Sequence, residues 1–150
     1  MNKLKTKTLF VVFIFLVLVF SACQSGVLIA ESNLPVPEHR RAVVAAIGEP
    51  RLISQNGREL TSPYHDRNFK YLEVTAKTKR RYYTKVIILG ARRPYDVQVQ
   101  VRIEARNPET NVFQDVGLDE NLSMTRAKAI KEMLNQSREK AQTIDGSNPF

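Results

Sequence analysis

Few residues of this chain are equipped for acid–base or nucleophilic chemistry. Tyr64-His65-Asp66 sets an imidazole between a phenol and a carboxylate, the groups a proton relay uses. Neighbours in an extended loop point in different directions, however, and the only other histidine, His39, lies in a separate polar stretch. Two histidines in 150 residues leave little material for a His-based metal cluster, and one cysteine excludes an internal disulfide and a Cys-rich zinc site. No Gly-x-Ser-x-Gly elbow, His-Glu-x-x-His pair or phosphate loop occurs. The expectation is a protein without catalytic activity, cofactor or metal, with His65 as a solvated loop residue.

Cations are more abundant. The chain holds 23 Lys+Arg against 15 Asp+Glu, a formal net charge of +8. They gather where turns are expected: Lys77, Lys79, Arg80 and Arg81 with Lys85 beyond them, and Arg92 with Arg93. Such a basic rim gains about 1 kcal/mol per residue beside an anionic membrane surface. Charged turns also keep sheet edges from pairing with other chains. Nucleic acid is the usual partner of a basic chain. Here the N-terminus argues against it.

Lys3, Lys5 and Lys7 precede twelve apolar residues from Leu9 to Phe20, and Ser21-Ala22-Cys23 follow. A basic start, a short apolar run and small residues are the plan of a secretory signal, and the run falls short of the roughly 20 residues a spanning helix needs. Phe20-Ser21-Ala22-Cys23 resembles the lipobox of bacterial lipoproteins, with Phe20 where that family favours Leu. The resemblance implies cleavage before Cys23 and acylation of its sulfur. It implies a mature chain tethered to the membrane by several acyl chains, a stable form of anchoring. Gln24 in place of Asp implies an outer-membrane address facing the periplasm, out of reach of nucleic acid. Removing three lysines from a net charge of +8 leaves +5 on the mature chain.

These groups must be positioned by a small domain. Residues 1–22 read as the signal peptide and 23–42 as a lipidated tether stiffened by Pro35 and Pro37. Residues 43–143 read as an α+β domain and 144–150 as a flexible tail. Val43–Ile47 and Arg51–Ser54 fit one strand or two short ones, and Asn56-Gly57 is a strong turn pair. Phe69–Ala76, Arg81–Leu89 and Tyr95–Ala105 predict an antiparallel meander. In the last of these Tyr95, Val97, Val99, Val101, Ile103 and Ala105 alternate with Asp96, Gln98, Gln100, Arg102 and Glu104. Tyr71, Tyr82, Tyr83 and Tyr95 are candidates for a cross-strand aromatic ladder. Residues 112–121 read as an acidic loop. A helix then starts at Ser123 as N-cap, with Leu122, Ala127, Ile130, Met133, Leu134, Ser137 and Ala141 as its apolar stripe. The expected fold is α+β, with a meander of three to four strands and one C-terminal helix packed on the sheet.

Leu122-Ser123-Met124-Thr125-Arg126-Ala127, continued by Ile130 and Leu134, resembles the second helix of OmpA-like peptidoglycan-binding domains. That resemblance implies that Arg126, with Asp115 on the preceding loop, grips the carboxylate and ammonium of a peptide stem. The function expected from the sequence is a lipid-anchored envelope protein that binds or assembles with a protein partner. A peptidoglycan or anionic-glycolipid binding module is the alternative, and a small hydrolase the remote one.

Overall fold

The structure, a computed structural model, describes residues 26–146. The signal peptide, Cys23 and residues 147–150 lie outside the described residues. The fold is α+β: one antiparallel sheet with two helices on a single face, one of them C-terminal. In chain order the elements are β1 (Val27–Ser32), α1 (Val36–Ile47), β2 (Leu52–Ile53), β3 (Glu59–Thr61), β4 (Arg80–Leu89), β5 (Tyr95–Arg106), β6 (Phe113–Leu118) and α2 (Glu120–Gly146). The sheet runs β1-β5-β4-β3-β2, and β6 also pairs with β5. It has six strands rather than the expected three to four, and a second helix.

The β4–β5 hairpin is the axis of the fold. Its register runs from Arg80 opposite Ala105 to Leu89 opposite Asp96. Alternation dictates the two faces: Val86, Ile88, Val97 and Val99 point toward the helices and are buried, and the residues between them make the open face. Ala42, Val43 and Ile47 of α1 and Ala127, Ile130 and Leu134 of α2 complete the core.

The segment read as a tether is the largest correction. It contains β1 and the first half of α1, and Val43–Ile47 continues that helix instead of forming a strand. Pro35 does not stiffen an extended spacer. It sits at the N-cap, and its carbonyl accepts from the N–H groups of Glu38 and His39 at 3.0 and 3.1 Å. Pro37 lies in the first helical turn, where a missing N–H costs nothing. Gly48, at φ +80°, closes the other end, donating its N–H to Val44 at 2.9 Å.

Phe69–Ala76 is irregular, apart from an isolated bridge between Tyr71 and His65. The physical reason is that β4's edge is already taken. β3 pairs with it at Lys85–Ile87, and the chain stays alongside as far as His65 opposite Tyr82. Residues 112–121 are not a loop, because Phe113–Leu118 form β6 against the outer edge of β5.

β1 and β6 share that edge. β1 pairs with Tyr95–Val99 and β6 with Arg102–Arg106, which leaves Gln100 and Val101 between them. The start of α2 fills the gap. Ser123 Oγ accepts the Val101 N–H at 2.8 Å and donates to the Asp119 carbonyl at 2.6 Å, and the Asp119 N–H reaches the Val101 carbonyl at 2.9 Å. Ser123 is therefore a buried plug and not the N-cap. Asp119 holds that role, its Oδ1 accepting from the Leu122 N–H at 3.0 Å. A Ser123→Ala variant strands a buried N–H, which costs about 1–3 kcal/mol. Urea unfolding is expected to show a lower midpoint at unchanged slope, and an unmoved midpoint would refute the plug.

Candidate functional site

The helices leave one sheet face uncovered, and its side chains come from five separate segments. β4 contributes Arg81 and Tyr83, β5 Arg102, Glu104 and Arg106, and β6 Phe113 and Asp115. Arg51 precedes β2, and Tyr64 follows β3. Guanidinium groups and rings alternate across this face. The Arg51 guanidinium carbon lies 4.3 Å from the Tyr64 ring centre. Arg81 lies 3.8 Å from the Tyr64 ring centre and 3.9 Å from that of Phe113. Arg106 stands 4.6 Å from Phe113. Tyr64 also meets Tyr83 edge-on, with ring centres 6.3 Å apart. Each such contact contributes about 0.5–2 kcal/mol, more as water is excluded.

Carboxylates lock the ladder. Arg81 Nε donates to Glu104 Oε2 at 2.5 Å, with both side chains only 16% exposed. Arg102 Nε donates to Asp115 Oδ2 at 2.6 Å. That hydrogen bond holds the Asp115 carboxyl below the usual carboxylate range and raises Arg102. Burial pushes the Tyr83 phenol up, and Asp115 adds to the effect. Lys85 pairs with Glu59 at 2.8 Å. Arg106 turns outward along its strand and fastens the neighbouring turn, donating to the carbonyls of Thr78 at 2.9 Å and Thr75 at 2.8 Å. The arrangement is a rigid, polar and aromatic platform with an exposed arginine, Arg51, at its end. It presents donors and ring faces.

The residues singled out in the sequence scatter. Arg126 and Asp115 are not brought together. Asp115 lies on the open face with Arg102, and Arg126 lies on the helix side, its Nη1 donating to the Ala46 carbonyl at 2.7 Å. The Arg126 guanidinium also lies 3.9 Å from the Phe69 ring centre, and its burial lowers its pKa. It closes the C-terminal end of α1 over a small secondary core. His65 belongs to that core and is not a solvated loop residue, being 4% exposed. Its Nδ1 donates to the Asp66 carbonyl at 2.8 Å, and its Nε2 accepts from Thr84 Oγ1 at 3.2 Å. Both ring nitrogens are engaged, so the Tyr64-His65-Asp66 run offers no free base.

The basic patch divides. Lys77, Lys79 and Arg80 lie exposed at one end of β4, and Arg92 and Arg93 lie exposed at the other, about 30 Å away by strand rise. Arg81 leaves the rim altogether for the ladder. The expected tyrosine ladder does not form as drawn: Tyr82 faces the core, Tyr83 the open face, and Tyr71 is 77% exposed. Tyr95 packs against both His39 and Arg58. The signal for the true platform was half visible, since Arg81, Tyr83 and Lys85 share one phase of β4 and Arg102, Glu104 and Arg106 one phase of β5. Nothing in the sequence brings Arg51, Tyr64 and Phe113 to them.

Among the described residues no group of three or more His, Cys, Asp or Glu could hold a metal ion. No described helix is long and apolar enough to cross a membrane. No protein-family model matches the chain, and no curated protein or solved structure matches it.

Proposed function

We propose that this protein is a lipid-anchored component of the bacterial cell envelope, acylated on Cys23, that acts without catalysis as a binding or assembly partner in an envelope complex. The leader and the cysteine that ends it supply the anchor and the address, facing the periplasm from the outer membrane. The observation that carries the binding role is the uncovered sheet face, where guanidinium groups and rings from five segments contact one another in series. A surface whose groups are held before a partner arrives loses little side-chain entropy on binding. Arginine and aromatic residues are also the types that dominate interface energetics.

The test is purification of the acylated chain in mild detergent with chemical crosslinking. One stoichiometric protein partner is expected, lost in Arg51→Glu and kept in Lys131→Glu on the exposed side of α2. Recovery of no partner, or of one indifferent to Arg51→Glu, sinks the assignment to this face. Retention of Cys23→Ala in membranes with processing at the same site sinks the anchor.

A further inference from the structure

Gly26, just before β1, lies in the middle of a sheet edge. Gly26 packs against the Val99 carbonyl and the Gln100 side chain, so closely that an added Cβ would stand 2.4 and 2.5 Å from them. Beside it lies the Val101 gap filled by Asp119 and Ser123, so the start of β1, the end of β6 and the first turn of α2 converge on a few residues of β5. Cys23 is three residues before Gly26. Three residues span at most about 10 Å.

Three large apolar side chains lie along this edge and are exposed. Leu28, two residues into the chain from Gly26, is 54% exposed. It lies on the open side of the sheet, since Ile29 takes the core side. Val116, at the bulge of β6 two residues before Leu118, is 58% exposed. Met124, next to the Ser123 plug, is 54% exposed on the helix side. Scattered exposed apolar residues need no explanation. These three come from separate elements and stand on both sides and on the rim of the edge through which the chain arrives.

We infer that this edge, with Leu28, Val116 and Met124, rests on the lipid surface to which the N-terminus is attached. The inference builds on the lipid-anchor reading. A bilayer is the occupant because the link from Cys23 is too short to hold this edge far from the membrane. At that distance the attached edge meets lipid at a high effective concentration, so even weak apolar contact is populated. Two consequences follow. The domain stands edge-on instead of hanging from a 20-residue tether, and the open face with its ladder runs parallel to the membrane normal, accessible from the periplasm.

The chain has no tryptophan, so single-tryptophan variants report cleanly. The full chain, expressed with its leader and reconstituted in phosphatidylcholine vesicles with and without brominated acyl chains, carries Val116→Trp, Met124→Trp or, on the far edge, Leu52→Trp. An indole at the acyl boundary is expected to lose roughly half its emission to bromine and to shift to the blue. Val116→Trp and Met124→Trp are expected to do so, and Leu52→Trp to emit as in water without quenching. Mass spectrometry of the N-terminal peptide reads the acylation in the same samples. Acylated chains in which all three variants emit alike overturn the edge-on seat and leave the anchor standing. Chains without acyl mass that stay out of the vesicles overturn the anchor, and the seat with it.

Discussion

Arg81→Ala is expected to cost about 2–4 kcal/mol of stability, because it removes a cation that two rings and a carboxylate share and leaves that carboxylate without its partner. Arg81 sits between Tyr64 and Phe113 at 3.8 and 3.9 Å and donates to Glu104 at 2.5 Å. An exposed ion pair would be worth well under 1 kcal/mol. This one differs in that both side chains are 16% exposed. The two partners are not equivalent. Glu104→Ala leaves a guanidinium that still has two ring faces, whereas Arg81→Ala leaves an acid with none. Glu104→Ala is therefore expected to cost less than Arg81→Ala. The double variant is expected to be no worse than Arg81→Ala alone, since the stranded carboxylate is gone. Urea midpoints of the four proteins form the cycle, and strict additivity would show that the pair does not act as a unit.

Acidification from pH 7.5 to 5.5 is expected to destabilise the domain through two buried histidines. Burial lowers both pKa values. At His39 Arg93 lowers it further while the Pro35 carbonyl opposes, and at His65 the Asp66 carbonyl opposes while Arg126 lowers it. His39 is fully buried, its Nδ1 donating to the Pro35 carbonyl at 3.1 Å and its Nε2 without a protein partner. In the unfolded chain each histidine takes up a proton near pH 6.5, and in the folded chain it does so only at lower pH. Below 6.5 the unfolded state thus binds more protons, so stability is complete above that value and falls as pH drops through it. Each group contributes a slope of up to about 1.4 kcal/mol per pH unit. Urea midpoints at the two pH values measure the loss, and His39→Gln is expected to remove part of it. Equal midpoints would mean that neither imidazole is kept neutral by the fold.

The strands 81–89, rich in aromatic and β-branched residues, and 95–105, with its sustained period-two alternation, were legible because each obeys a local rule that tertiary contacts reinforce. So was the apolar stripe of α2, whose Ala127, Ile130 and Leu134 all enter the core. The first helix was equally periodic, with His39, Ala42, Val43, Ala46 and Ile47 at helical spacing. Two prolines masked it, since the same residue type marks an extended stretch and a helix start. Phe69–Ala76 failed for the opposite reason: its composition suits a strand, but no free edge remains for it. Ser123 fits an N-cap by type, and its use as an acceptor for Val101 arises only because β1 and β6 stop short of each other on β5.

Asp115 and Arg126 mark the boundary of what a motif can say. Eleven residues apart, they resembled a ligand-gripping pair, yet they lie on opposite sides of the sheet and each turns to a nearer partner, Asp115 to Arg102 and Arg126 to the Ala46 carbonyl. The sequence by itself determined the α+β class, the hairpin at its centre, the excess of positive charge, and the basic and apolar N-terminal run that ends at the lone cysteine. These depend on periodicity, composition and order along the chain. Only the tertiary structure decided which arginines meet which rings, which histidines are dry, and that the chain arrives at a sheet edge instead of dangling from a tether. Those outcomes depend on which edges and faces remain free after the strands have paired, a competition between distant segments that no local pattern encodes.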